Sequence, residues 1–286
     1  MKSLIVGSMG LVGSALTRCQ PDSLQGVQME AKNKQQIYLD LAKYETMFKV
    51  FSSFRPQVVY LAGAITDVNA CENWGTSLVN VKGTIECLRL CEQFEAKLVF
   101  FSSSYVFDGN KQSPYTLEDD TNPIQMYGKQ KTTVENMITT SDTDYLVIRT
   151  VGVFGQERKR KNFAQQVVKS VFAGKDVFAP TDQFMNPINS DDVARITVGL
   201  VNKKLNGLFH VAGDTCLSKY EFARMIAKNF GYEDKVKPIT SEEMKQRAKR
   251  PMMGCLDCST LLDYGFEIPS LSTGLQKFLG SGILDG

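Results

Sequence analysis

A tyrosine and a lysine stand four residues apart in the segment Tyr127-Gly-Lys-Gln-Lys131. On a helix, residues four apart share one face, so the lysine ammonium would lie beside the phenol. A free phenol has a pKa near 10, and an adjacent ammonium favours the phenolate and lowers that pKa. The spacing therefore predicts a tyrosine that exchanges a proton with a bound molecule, assisted by the lysine. Taken alone, the pair is more typical of a solvated helix face.

Three consecutive serines, Ser102 to Ser104, lie at the end of a strand predicted over residues 97–102. Ligands of open α/β sheets bind at the carboxyl ends of strands. A serine hydroxyl there would donate a hydrogen bond to a carbonyl oxygen while Tyr127 protonates it. Taken alone, this segment is better explained by serines that simply end a strand.

Three glycines, Gly7, Gly10 and Gly13, follow a predicted strand at Ser3–Val6 and open a predicted helix at Leu11–Cys19. A pyrophosphate at a helix N-terminus needs backbone N–H donors and no side chain in its way, and glycines meet both needs. The context predicts a dinucleotide-binding loop; the alternative is a glycine-rich turn without a ligand. The loop, the serines and the Tyr/Lys pair occur in chain order on elements that would converge on one cleft.

An acidic residue, Glu30, follows the glycine loop by about twenty residues, where a carboxylate can hold the adenosine ribose 2′-hydroxyl of NAD. Lys32 and Lys34 lie close by and could bind the 2′-phosphate of NADP instead. We therefore expect NAD or NADP as cofactor, with a slight preference for NAD.

Short apolar runs alternate with helical stretches through the first half of the chain, which predicts βαβ units and a parallel sheet. A long helix is expected over residues 78–94 and another near Gln125. We predict an α/β fold, a doubly wound parallel sheet (Rossmann-like) with a smaller C-terminal substrate-binding domain. The dinucleotide-binding domain would comprise residues 1–150 with elements returning around 186–212, and the substrate-binding domain residues 151–185 and 213–286.

The charge balance and hydropathy exclude several classes of partner. The chain has 286 residues, with 33 basic and 31 acidic side chains and 43% hydrophobic residues. This balance gives no reason to expect binding to nucleic acid or to a membrane surface. No apolar run approaches the roughly 20 residues that span a bilayer. The basic run at 158–161 is expected to be a solvated loop, with contact to substrate phosphates as the alternative.

The cysteine and histidine content argues against a metal site. The seven cysteines are scattered, which favours a reducing, cytoplasmic compartment and cysteines that act as small apolar residues. Cys255 and Cys258 form a lone CxxC, and His210, the single histidine, cannot complete a four-ligand zinc site with them. His210 lies in an apolar run and is expected to be structural.

The same segments resemble the extended short-chain dehydrogenases/reductases. Over nearly the whole chain the sequence is similar to the dTDP-4-dehydrorhamnose reductase family. The motifs that carry this similarity are residues 62–68 with Glu72 and Asn80, residues 102–109, Asn122-Pro123 through Glu135, Asp182-Gln183-Phe184 with Pro187, and Arg250-Pro251 with Leu256-Asp257. The resemblance implies reduction of a nucleotide-linked 4-keto-6-deoxy sugar by NAD(P)H.

The resemblance also implies roles for individual residues. Ser103, Tyr127 and Lys131 are the expected catalytic residues, with no metal. The cofactor-binding residues predicted from the loop and the resemblance are Gly7, Met9, Gly10, Leu11, Val12, Gly13, Glu30, Asp40, Leu41, Ala62, Gly63, Ala64, Ser102, Tyr127 and Lys131. The substrate-binding residues predicted in the same way are Thr66, Val68, Ser104, Tyr105, Gly152 and Asn186.

Several positions depart from the family pattern on the expected sugar side. Ser104 replaces an Asp, Gly152 replaces a Trp and Met185 replaces a Gly. The related regulatory subunit of methionine adenosyltransferase keeps the fold and the cofactor, and its role is to bind a partner enzyme. A regulatory subunit without turnover, or another nucleotide-sugar reductase or epimerase, therefore stays an alternative to the reductase. A homodimer is one option for the assembly.

Overall fold

The computed structural model describes residues 1–157 and 161–280. Its centre is a seven-stranded sheet in which all neighbouring strands run parallel. The described strands are β1 (Ser3–Val6), β2 (Leu24–Val27), β3 (Gln36–Tyr38), β4 (Val58–Leu61), β5 (Lys97–Ser103), β6 (Tyr145–Thr150), β7 (Val153–Phe154), β8 (Val177–Pro180), β9 (Phe184–Met185), β10 (Ile188–Asn189), β11 (Gly207–His210), β12 (Leu217–Ser218) and β13 (Val236–Ile239). The described α-helices are α1 (Leu11–Cys19), α2 (Tyr44–Phe54), α3 (Val68–Cys71), α4 (Thr84–Gln93), α5 (Met126–Thr139), α6 (Phe163–Phe172), α7 (Ser190–Asn202), α8 (Lys219–Lys228), α9 (Thr260–Asp263) and α10 (Leu271–Leu279).

The strand order places a crevice beside the glycine loop. The order is β11-β6-β5-β4-β1-β2-β3, so the winding direction reverses between β1 and β4. In open α/β sheets ligands bind at such a reversal, outside the carboxyl ends of the strands. The predicted doubly wound parallel sheet of the Rossmann type is confirmed.

The central strands are buried on both faces, as continuous apolar runs require. Successive residues alternate between two hydrophobic clusters: Ile5 and Tyr60 belong to one, and Leu4 and Val59 to the other. Burial on both sides fixes the register of these strands, because a shift by one residue would exchange the two faces. The strand ends are therefore held at set heights along the edge of the sheet.

A third hydrophobic cluster lies outside the sheet and combines Phe154 with residues of α6, α8 and α10. Three two-stranded pairs accompany it: β7 with β10, β8 with β13, and β9 with β12. This separate cluster does not by itself test the division into a dinucleotide-binding and a substrate-binding domain, which stays a prediction.

Two local expectations are corrected. The single helix expected over 78–94 is interrupted, because a π-helical turn at Leu78–Gly83 precedes α4. Cys216 and Cys255 form a disulfide across a sequence separation of 39 residues, so these two are not simple apolar residues. Among the free thiols, Cys19 is exposed and the other four are buried.

Two further features are read from the described ranges alone. Within residues 1–157 and 161–280, no helix has both the length and the apolarity needed to cross a bilayer. Positions 158–160 of the basic run lie outside the described residues, so the solvated loop expected there stays a prediction.

Candidate functional site

The glycine turn after β1 is shaped by close backbone approach. Gly7 has φ +78°, a left-handed conformation that favours glycine, and a Cβ there would overlap the Cα of Gly63. A Cβ on Gly13 would overlap the Gly7 carbonyl oxygen. Both glycines are thus required by packing between the turn, α1 and the end of β4.

Gly10 has a different role, since its missing side chain leaves the start of α1 open. Gly10 is the N-cap of α1 and provides no side-chain cap, and a Cβ there would lie 3.4 Å from the Gly7 oxygen, an ordinary contact. The first N–H groups of a helix have no carbonyl one turn earlier to bind, so those of Leu11 and Val12 are suited to an anion. The turn fits a dinucleotide diphosphate.

The opposite wall of the crevice is formed after β4, next to β1. Ala62 donates its N–H to the Val6 carbonyl at 3.0 Å, and the predicted cofactor residues Ala62, Gly63 and Ala64 are all partly exposed. A Cβ on Gly63 would lie 3.4 Å from the Leu41 side chain, which is buried. This wall therefore lies beside the glycine turn, as predicted.

The predicted ribose-binding region is a small hollow of about 20 Å³. It is lined by Met9, Val27, Met29, Glu30, Lys32 and Gln36. Glu30 and Lys32 line it together, so side chains of both signs of charge border the hollow. Asp40 is engaged elsewhere, because its carboxylate accepts hydrogen bonds from the Ala42 N–H at 3.0 Å and the Gln28 amide at 3.1 Å.

The tyrosine and lysine lie in the first two turns of α5. The helix begins after Gln125, whose side chain caps the Gly128 N–H. Tyr127 is 7% exposed and Lys131 is 5% exposed, so the solvated-face alternative is excluded. The Lys131 ammonium donates to the Phe101 carbonyl at 2.7 Å and lies 5.7 Å from the centre of the Tyr127 ring.

Burial controls the acidity of both groups. It raises the pKa of the Tyr127 phenol well above the ordinary value, and Cys71 and Tyr105 add to the rise. It lowers the pKa of Lys131 to about 8, although the Glu135 carboxylate opposes this change. The expectation that Lys131 lowers the pKa of Tyr127 is wrong for the polypeptide alone, because desolvation of the phenolate outweighs the nearby charge.

The three serines end β5 in different environments. Ser103 is partly exposed and its hydroxyl accepts the Tyr105 N–H at 3.3 Å, whereas Ser102 and Ser104 are buried. The Tyr105 ring packs edge-on against the Tyr127 ring, with centroids 6.0 Å apart. Gly128 permits this approach, since a Cβ there would overlap the Tyr105 carbonyl oxygen. Ser103 is therefore the hydroxyl of the three that is open toward the crevice.

The predicted substrate residues treated first are Thr66 and Val68, in the segment after β4, and Gly152, which lies next to Met185. Thr66 is exposed and Val68 is buried in a small cluster with Tyr127. Gly152 lies just beyond β6 with φ +57°, and a Cβ there would lie 2.8 Å from the Met185 sulfur. Met185 thus lies where a larger residue 152 would place its side chain.

Asn186 has a structural environment. It is 5% exposed, its amide donates to the carbonyls of Gly213 and Leu256, and its oxygen accepts the Leu256 N–H. Since these contacts use both ends of the amide, its predicted contact with substrate is not supported.

Sequence reasoning noted Asn80 only as part of a family motif, and it assigned no role in the site to Asn80 or to Gln130. Asn80 binds both backbone groups of Ile65 and receives further support from Gln130, a buried residue of α5. This network fixes the loop after β4 against the helix that carries Tyr127 and Lys131. The signal was a polar residue on an apolar helix face, and it did not reveal the partner fifty residues away in the chain.

A Rossmann-type sheet with a glycine turn at its reversal point and a Ser/Tyr/Lys group beside it defines a dinucleotide-binding α/β protein. The chain belongs to the family described as RmlD substrate binding domain, whose model matches residues 1–282.

Named relatives extend over nearly the whole chain. It is 28% identical to a dTDP-4-dehydrorhamnose reductase of Aggregatibacter actinomycetemcomitans, over 90% of this chain and 91% of that protein. It is 29% identical to the methionine adenosyltransferase 2 subunit beta of Mus musculus, over 99% of this chain and 88% of that protein. The crystal structure of dTDP-4-dehydrorhamnose reductase from Bacillus anthracis in complex with NADP superimposes with a TM-score of 0.89 at 25% identity, covering 98% of this chain and 99% of that one.

Proposed function

We propose that this protein is an NAD(P)H-dependent reductase of a nucleotide-linked 4-keto-6-deoxy sugar, similar in activity to dTDP-4-dehydrorhamnose reductase. The observation that carries the proposal is the pairing of buried Tyr127 and Lys131 on α5 next to the partly exposed Ser103, at the sheet edge that also holds the glycine turn. The relatives named as reductases support the same reading.

Bound NAD(P)H would supply the hydride, and the chain would manage the charge that develops on the sugar oxygen. The raised pKa of Tyr127 keeps its phenol protonated, which is the state that donates a proton in a reduction. The Ser103 hydroxyl would donate a hydrogen bond to the same oxygen. Fixed donors help most where charge develops, so both groups act on the transition state more than on the substrate.

Lys131 would link proton donation to the cofactor. Its pKa of about 8 leaves it mostly charged at neutral pH. The ammonium is already fixed to the Phe101 carbonyl at 2.7 Å, which leaves its other N–H donors for a ribose hydroxyl. It would also favour the phenolate that remains after Tyr127 has given up its proton.

The finer properties follow from the same residues. We propose a slight preference for NAD because Glu30 lines the ribose hollow, with Lys32 beside it as the group that would favour NADP.

The ligand partner would be a nucleotide sugar, and a homodimer is one assembly that gel filtration would test. The four buried free thiols support a reducing cytoplasmic location, and the Cys216–Cys255 disulfide weighs against it.

A regulatory subunit without turnover is the second candidate. The similarity to the methionine adenosyltransferase subunit favours it, as do Ser104 and Gly152, where the sequence departs from the reductase pattern. Tight NAD(P)H binding without oxidation across a panel of nucleotide-linked 4-keto-6-deoxy sugars would select this candidate.

The test is an assay of NADH and NADPH oxidation with 4-keto-6-deoxy sugars carried on several nucleoside diphosphates. We expect turnover with at least one of them, and Tyr127→Phe should abolish most of it while nearly preserving cofactor affinity. Tyr60→Phe is the matched control, since Tyr60 is also a buried tyrosine but its hydroxyl accepts a hydrogen bond from the Gln20 amide. Unchanged turnover in Tyr127→Phe would exclude the mechanism.

A further inference from the structure

A third ionisable residue continues the face of α5 that carries Tyr127 and Lys131. Glu135 follows Lys131 by four residues, so the three side chains lie above one another on the helix. Its carboxylate receives two-pronged hydrogen bonds from the Arg149 guanidinium, the shortest at 2.7 Å. The side chains of Glu135 and Arg149 are only 3% and 6% exposed, so this is a buried ion pair.

Arg149 stands at the part of β6 that borders the serines. In the parallel register Arg149 pairs with Ser102, and Thr150 pairs with Ser103. The guanidinium also lies 5.1 Å from the centre of the Phe107 ring, which fixes it from the other side. The ion pair therefore connects the helix that carries the proton donor to the strands that end at Ser103.

The groups around Lys131 differ in the sign of their influence. The Glu135 carboxylate on α5 favours the ammonium, and burial opposes it. The Cys71 side chain on α3 would favour the ammonium only as a thiolate, and burial raises the pKa of that thiol. Tyr127 on α5 contributes a neutral phenol, and β5 contributes the Phe101 carbonyl. Arg149 on β6 contributes a cation, and its guanidinium donates its hydrogen bonds to the Glu135 carboxylate. Lys131 is thus a buried lysine with few polar neighbours, and Glu135 is its anionic neighbour on the same helix.

We infer that Glu135, which Arg149 holds one helical turn from Lys131, is a positioning residue that acts on Lys131 through its charge and keeps the ammonium protonated below Tyr127. The catalytic consequence rests on the proposed function, whereas the effect on Lys131 itself does not. A buried pair need not stabilise the fold, because desolvation offsets much of the attraction. The Glu135–Arg149 pair can therefore serve to keep Lys131 charged even if it adds nothing to the stability of the fold.

The test is the titration of Lys131 in Glu135→Gln, followed by NMR of the labelled side chain and assigned with Lys131→Arg. Removing the carboxylate should move the Lys131 midpoint down by about one pH unit or more. The alkaline loss of turnover should move in the same direction. Asp192→Asn is the matched control, because Asp192 is a mostly buried carboxylate paired with Arg195 and Lys277 on another part of the fold. It should leave the midpoint unchanged.

The double variant Glu135→Gln with Arg149→Met serves if an unpaired Arg149 prevents folding. It should lower the Lys131 midpoint by less than Glu135→Gln does, because it removes the Arg149 cation together with the Glu135 carboxylate. An unchanged midpoint in a folded variant would overturn the inference and leave Glu135 a structural residue. Because NMR needs no substrate, this result is independent of whether the chain proves to be a reductase.

Discussion

The Lys131 ammonium donates a hydrogen bond to the backbone carbonyl of Phe101, over a distance of 2.7 Å. Phe101 belongs to β5, which ends two residues later at Ser103. One side chain thus joins the helix that carries Tyr127 to the strand that carries the hydroxyl. The bond requires a buried ammonium group, and burying that charge lowers the free energy of unfolding by a measurable amount.

Lys131→Met should abolish most turnover and stabilise the fold at neutral pH. The pKa of Lys131 falls from 10.5 to about 8 on folding, so the unfolded chain binds more protons between these values. The destabilisation that results from burying the Lys131 ammonium is complete below pH 8 and disappears as the pH rises toward 10.5. We expect the variant to gain about 1–3 kcal/mol of unfolding free energy at pH 7. Urea unfolding at pH 7 and pH 10 checks this, and a gain that fails to shrink at pH 10 would contradict the argument.

Gly13→Ala and Gly10→Ala should separate packing from cofactor binding. A Cβ at position 13 overlaps the Gly7 oxygen, whereas one at position 10 makes an ordinary contact at 3.4 Å. We expect Gly13→Ala to lower the melting temperature, because overpacking costs about 1–3 kcal/mol. Gly10→Ala should melt near the wild type and bind NAD(P)H more weakly. Calorimetry of melting and of binding measures both, and equal behaviour of the two variants would contradict the assignment.

The sequence predicted those parts of the site whose structure depends on residues close together in the chain. The glycine turn and the helix after Gln125 depend on neighbouring residues, and both are present. Spacing did not predict the disulfide, because contact between Cys216 and Cys255 depends on how β12 folds against the chain that precedes α9. It also did not predict the acidity of Tyr127, since burial of a helix face is a property of what packs on it.

His210 should make the protein sensitive to acid. It is fully buried, and burial, helped by the charge of Arg149, lowers its pKa from 6.5 to about 4. The unfolded chain therefore binds more protons between pH 6.5 and pH 4, and stability is lost as the pH falls through that window. The loss should reach about 3 kcal/mol at its acid end.

His210→Asn is the variant that checks this prediction, because its amide can still donate to the Asp257 carbonyl that contacts Nδ1. The difference in unfolding free energy between wild type and variant should shrink from pH 7 to pH 5. A constant difference would show that His210 does not drive the acid sensitivity.

Reduction of the Cys216–Cys255 disulfide should destabilise the chain by about 2–4 kcal/mol, since the bond closes a loop of 39 residues. Cys216→Ser should show the same loss without reductant and no further change when dithiothreitol is added. Cys258→Ser tests whether the effect is specific, because Cys258 is a free buried thiol close to the same segment. A wild type whose melting is insensitive to dithiothreitol would contradict the prediction.

The contact between Gly7 and Gly63 leaves bare main chain at the bottom of the cleft, with no side chain from either turn. Mutation cannot readily reshape that surface, whereas a residue smaller than Met185 would open space next to Gly152, whose φ of +57° itself favours glycine. The main chain at the glycine turn is therefore the part of the cleft that substitutions elsewhere in the chain leave unchanged.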